Sequence, residues 1–137
     1  MSNGLLIADD DPDIRSIIRS VVEADGYKVC GEAADGLEAI ERANKLQPDL
    51  ILLDLAMPRM NGAEAAGVLR SAMPRVPILL FTMFAGEFGE KLASAIGVNV
   101  VLSKPEGFTK LSEHLRALLN PTEEPPKRPR SSTSPQS

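Results

Sequence analysis

Residues 50–58 read LILLDLAMP: a short apolar run that ends on Asp54 and turns at once. A run of this length bounded by turn residues suits a buried strand better than a helix. An acid at the end of such a run has been carried to the rim of a sheet. Four further short apolar runs lie outward from it, LLIAD (5–9), YKVCGEA (27–33), PILLF (77–81) and VNVVL (98–102). They alternate with longer segments whose apolar residues recur at three and four, the pattern of repeated strand–helix units and a parallel sheet. The central runs are apolar almost throughout, as a doubly wound α/β sheet with helices on both faces requires.

The intervening segments carry helix signals. Asp11 can cap a first helix with Pro12 at its first position, Ile14, Ile17, Ile18, Val21 and Val22 form its apolar stripe, and Gly26 stops it. A second helix is expected from about Leu37 to Leu46 before Pro48, and a third from about Ala63 to Met73 before Pro74. The segment GEFGEKLASAIG (86–97) should supply a fourth, with a mobile first turn, because Gly86 and Gly89 each weaken it by about 1 kcal/mol relative to alanine. A fifth, from about Phe108 through Leu111, Leu115 and Leu118, closes a domain of residues 1–120. From Pro121 to Ser137 the sequence PTEEPPKRPRSSTSPQS offers no apolar residue to a core and reads as a disordered tail.

Composition narrows the function classes. The chain has 137 residues, 43% hydrophobic and 25% charged, and no run approaches the roughly 18 apolar residues of a membrane span. The start, MSNGLLIADDDPD, lacks the basic opening and longer apolar stretch of a secretory signal, so a cytoplasmic protein without a membrane partner is expected. Cys30 is the only cysteine, which excludes an intramolecular disulfide and a cysteine metal cage and leaves it as an apolar filler in a strand. The formal net charge is −4, and residues 1–120 carry −5 because the tail holds Lys127, Arg128 and Arg130 against Glu123 and Glu124. An acidic body argues against nucleic acid as a partner. His114, the only histidine, is assigned no role.

In an open parallel sheet, ligands bind beyond the carboxyl ends of the strands. Asp9, Asp10 and Asp11 follow the first strand, Asp54 ends the third, Thr82 ends the fourth, and Ser103, Lys104 and Pro105 follow the fifth. Each alone is ordinary; in order at successive strand ends they form a set. Carboxylates crowded at Asp9, Asp10 and Asp54 would repel one another unless a cation sat among them, and Mg2+ suits few carboxylates plus phosphate oxygens. A carboxylate nucleophile there could form an aspartyl phosphate, with Lys104 and the Thr82 hydroxyl meeting the phosphoryl oxygens.

From about Leu5 to Leu119 the chain resembles the receiver domains of two-component response regulators, through LLIADDDPDIR, LILLDLAMPRMNGAE, ILLFTM and VVLSKPEGF. The resemblance implies a flavodoxin-like strand order 2-1-3-4-5. It implies Asp9 and Asp10 as metal-site acids, Asp54 as the phosphorylated residue, and Ala56 as donor of a backbone carbonyl to the metal. Thr82 becomes the switch hydroxyl and Lys104 the phosphate-contacting lysine, with a cis bond before Pro105, while Pro58 and Gly62 shape the turn after Asp54. A sensor histidine kinase or histidine phosphotransfer protein would be the donor to a phosphoacceptor that is not itself an enzyme, apart from autophosphorylation by small phosphodonors and slow autodephosphorylation. With no DNA-binding segment following, it would act as a stand-alone receiver on an unknown protein target. A homodimer through the fourth helix, fifth strand and fifth helix is compatible with the family. Phosphorylation would draw Thr82 and Lys104 inward and reorder the start of the fourth helix near Phe84 and Phe88.

The chain departs from the pattern at Val101, where many receivers carry an aromatic ring that swings inward, and at Met83, where a small residue is common. Two rivals are weighed against this reading. A phosphatase of the haloacid dehalogenase type would need a second aspartate where Ala56 stands, and a receiver-fold binding module working without phosphorylation would not need the acid, threonine and lysine set. A flavodoxin-like cofactor binder would carry a Gly/Ser/Thr phosphate loop rather than DDDPD.

Overall fold

Successive side chains of a strand serve opposite faces, and in this chain both faces are filled with hydrocarbon. The computed structural model describes residues 4–82, 91, 94, 95 and 97–119, with the side chains of 105–108 left aside. Strands β1 (Leu5–Ala8), β3 (Leu50–Asp54) and β4 (Ile78–Thr82) are buried from end to end, while β2 (Val29–Ala33) and β5 (Val100–Ser103) form the edges. All pair in parallel in the order β2-β1-β3-β4-β5, the order that the resemblance implies.

Leu5, Ile7, Leu50, Leu52, Leu79 and Phe81 meet Ile18, Val22, Leu111 and Leu115, from α1 (Pro12–Ala24) and the closing helix (Lys104–Leu119). Leu6, Ala8, Ile51, Leu53, Ile78 and Leu80 meet α2 (Gly36–Leu46) and α3 (Gly62–Ala72) through Ala39, Ala43, Ala65, Ala66 and Leu69. The alanine-rich side lets its helices lie close to the sheet. Each buried leucine or isoleucine contributes about 1.5–3 kcal/mol of transfer free energy, so both faces help to hold the sheet between its helices.

Helix starts follow the side chains able to satisfy free amides. Asp11 caps α1 by accepting from the Asp13 N–H at 2.9 Å, with Pro12 at the first position as expected, and Gly26 takes φ +90 just past the end. The second and third helices begin one residue earlier than expected, at Gly36 and Gly62, because Asp35 and Asn61 cap them. Asn61 and Glu64 complete a reciprocal capping box. The closing helix begins at Lys104 rather than Phe108, directly after β5. Most of the expected fourth helix, with Met83, Phe84 and Phe88, and the expected tail from Pro121 lie outside the described residues, as does the fourth-helix part of the surface assigned to a homodimer.

At the amino ends of the strands, polar groups close on one another. The Gly4 N–H donates to the Asp49 carboxylate, and the Asp49 N–H donates back to the Gly4 carbonyl, both at 2.8 Å. Asn99 accepts from the Ile78 N–H and from Arg70, each at 2.9 Å. Arg70 also donates to the carbonyls of Gly97, Met73, Pro74 and Val76, tying the end of α3 to the entry of β5. Tyr27 packs half-buried against the layer under α1, its N–H donating to the Val22 carbonyl. Among the described residues no helix is long and apolar enough to cross a membrane.

Candidate functional site

Strand register alone brings the expected side chains together. Asp54 pairs with Phe81, and Thr82 pairs with Ser103, so Asp54, Thr82 and Lys104 stand one step apart on three adjacent strand ends. On the other side of β3, β1 delivers Asp9 to the same rim. Asp9, Asp54 and Thr82 are buried, at 1%, 4% and 4% exposure, while Asp10 faces solvent. One carboxylate oxygen from each of Asp9, Asp10 and Asp54 lies within 4.8 Å of the other two. The Lys104 ammonium bridges the buried pair, 3.1 Å from Asp9 Oδ2 and 3.2 Å from Asp54 Oδ1.

One lysine does not balance this charge. Burial, and then the neighbouring Asp9 carboxylate, push the Asp54 pKa up to about 6, against the pull of Lys104 and the Ala56 amide. Burial works against the charge on Lys104, yet the two carboxylates hold its pKa above the ordinary lysine value. Asp9 Oδ1 accepts from the Asp11 N–H at 2.9 Å. Its Oδ2 is buried without a well-directed hydrogen bond, although the lysine charge lies within ion-pair distance. A buried carboxylate oxygen with an unused lone pair, beside a second carboxyl that is reluctant to ionise, fits a small hard cation that takes oxygen ligands. The described acids Asp9, Asp10 and Asp54 are the groups that could hold it.

The loop after Asp54 is set by close backbone approach. At Gly62 a Cβ would lie 2.2 Å from the Asp54 carbonyl oxygen, and the Gly62 N–H donates to the Leu55 carbonyl at 2.8 Å. Glycine is therefore required for the chain to fold back against the strand that carries Asp54. Gly36 approaches the Met60 carbonyl in the same way, where a Cβ would stand at 2.3 Å. Arg59, in the left-handed region at φ 65, holds Asp35 at 2.9 Å. The Ala56 amide donates to the Asp54 carboxylate, and its exposed methyl puts no proton-transferring group two residues after Asp54. That leaves the dehalogenase-type reading without its second acid.

Two expectations need correction or refinement. No peptide bond among the described residues is cis, so the cis bond before Pro105 is not found, and Lys104 reaches both carboxylates from the first position of its helix. Val101 is half-buried and packs with the core layer that includes Leu80, a fixed filler in place of a ring that swings.

Sequence reasoning passed over a charged group behind the acidic loop. Arg15 donates to the Asp9 carbonyl and, at 2.8 Å, to Glu32, whose other oxygen is held by Arg19. Burial works against the Glu32 charge, but the two arginines hold its pKa below the ordinary carboxylate value. Arg15 stands within LLIADDDPDIR, but nothing local in that stretch points to a partner seventeen residues away.

A family model described as the response regulator receiver domain matches residues 5–116. The chain is 34% identical over 115 residues to a protein-glutamate methylesterase/protein-glutamine glutaminase of Pyrococcus abyssi, covering 83% of this chain and 31% of that protein. It is 32% identical over 123 residues to the alkaline phosphatase synthesis transcriptional regulatory protein PhoP of Bacillus subtilis, covering 90% of this chain and 51% of that one. The chain thus spans between about a third and a half of the length of these curated relatives. The response regulator domain of Thermotoga maritima CheB superposes with a TM-score of 0.78 at 28% identity, over 88% of this chain and 97% of that one.

Proposed function

Because the chain belongs to the response regulator receiver family, we propose that it accepts a phosphoryl group on Asp54 from a histidine kinase or a histidine phosphotransfer protein. The observation that carries this reading is the convergence of Asp9, Asp10 and Asp54 within 4.8 Å of one another, with a buried Asp9 oxygen that lacks a well-directed hydrogen bond and Lys104 spanning the buried pair. In this reading an Asp54 carboxylate oxygen attacks phosphorus, the bond from phosphorus to the donor's imidazole nitrogen or acyl oxygen breaks, and an aspartyl phosphate forms. Asp9, Asp10, Asp54 and the Ala56 carbonyl would hold Mg2+, which when bound supplies positive charge to the phosphoryl oxygens. Lys104 swings from carboxylate to phosphoryl oxygen, and the Thr82 hydroxyl donates to another. Burial of Asp54 keeps bulk water from its oxygens, and Asp54 is ionised above about pH 6, where it can act as nucleophile.

Ser103 and Lys104 continue from β5 into the closing helix. A pull on Lys104 and Thr82 is therefore applied at the ends of two paired strands, and the surface beyond them is where a protein target would sense it. We read the chain as a phosphoacceptor that works in the cytoplasm, with a protein contact as its output. Incubation with radiolabelled acetyl phosphate and Mg2+ tests the acceptor: label should appear on the wild-type chain and vanish in Asp54→Asn. Label that persists in Asp54→Asn would place the acceptor elsewhere.

A further inference from the structure

Asp9 is held at both of its peptide groups. Its N–H donates to the Ala33 carbonyl at 3.0 Å, on β2. Its carbonyl accepts from Arg15 Nη1, and the Arg15 Nε–H is spent on Glu32, the residue before Ala33. The acidic loop is thus clamped to β2 twice, once through backbone and once through a planar guanidinium that has a donor for each side of the gap. Arg19 takes the second Glu32 oxygen and a Glu23 oxygen, and makes no contact with Asp9 among the hydrogen bonds of the described residues. Arg15 is only 19% exposed although both ends of its fork are polar, and it touches none of the atoms that would hold a cation.

We infer that Arg15 is a positioning residue for the cation site: through the Asp9 carbonyl it fixes the backbone from which the Asp9 carboxylate is aimed. The inference rests on the reading of Asp9, Asp10 and Asp54 as a Mg2+ site. It makes a prediction opposite in sign to that of electrostatics alone. Removing a positive charge close to a cation site should tighten binding by Coulomb's law, whereas removing a group that orients a ligand typically costs 10–100-fold in metal affinity. Lysine separates the two ideas further, because it keeps the charge but has no planar fork to span carbonyl and carboxylate together.

Mg2+ titration of the full chain by calorimetry, at pH 7, decides it. Arg15→Met and Arg15→Lys should both weaken Mg2+ binding about tenfold or more. Arg19→Met, which takes the same charge from Glu32 without touching Asp9, should stay within about twofold of wild type. In the metal-free chain, the amide resonance of Asp11, bonded to Asp9 Oδ1, should shift in Arg15→Lys and stay in place in Arg19→Met. Arg15→Met binding as tightly as wild type or tighter would overturn the inference; if that variant does not fold, unchanged binding by Arg15→Lys does so. A wild-type chain that binds no Mg2+, like an Asp9→Asn control, would instead overturn the site reading, and this inference with it.

Discussion

The two rims of the sheet use the same kinds of polar group to opposite ends. At the amino rim charges and amides find partners: Asp49 meets the Gly4 amide, Asn99 bridges Ile78 and Arg70, and Arg70 spreads its fork over four carbonyls. At the carboxyl rim like charges are gathered faster than partners, leaving Asp54 with its pKa near 6 and an Asp9 oxygen without a well-directed hydrogen bond. The amino rim binds the strands together, and the carboxyl rim holds unfavourable electrostatics that a cation and a phosphoryl group can relieve. The lesson is a division of labour along each strand, cohesion at the start and chemistry at the end.

The sharpest break between the rims should come from pairing one substitution at each. Asp54→Asn should erase acetyl phosphate labelling entirely and leave the chain folded. Arg70→Ala should do the reverse, costing about 3 kcal/mol of unfolding free energy in urea titration, while the folded fraction still takes label. Loss of labelling in folded Arg70→Ala would show that the rims are not independent.

A somewhat smaller effect should appear with pH. The Asp54 carboxyl titrates near 3.9 in an unfolded chain and near 6 in the metal-free fold. The folded chain therefore keeps a proton that the unfolded chain has lost, and the stability from the protonated form, full below about pH 4, is lost as pH rises through 6. Wild type should lose about 2 kcal/mol relative to Asp54→Asn between pH 4 and pH 7; parallel pH profiles would contradict the crowding at this rim. Smallest is the effect of chemistry beside Asp54: Ala56→Asn, which offers a polar group to orient water, should shorten the aspartyl phosphate lifetime by about tenfold at most. A lifetime unchanged or lengthened would show that water is not limited by this position.

Much of this was legible in the chain. Apolar runs, their spacing and the residue ending each one gave five strands and the convergent Asp9, Asp54, Thr82 and Lys104, because a parallel sheet turns order in sequence into proximity at a rim. Helix starts were less legible at Gly36 and Gly62, where glycine looks like a turn; its reason for opening a helix is a backbone oxygen 2.2–2.3 Å from where a Cβ would stand, in another segment. The clasps of Arg15 on Glu32, Arg59 on Asp35 and Arg70 on Asn99 span 17, 24 and 29 residues. No periodicity encodes such partners, since a surface arginine looks the same in sequence whether it is paired or solvated.

Tyr27 is the only tyrosine and the chain has no tryptophan, so its near-ultraviolet emission arises almost wholly from one ring lodged beside the start of β2, at the far end of the strands from Asp54. That single fluorophore is therefore a gauge of whether the sheet is assembled, insensitive to what is attached at the opposite end. A melt followed through it would report folding in the same units for phosphorylated and unphosphorylated chains.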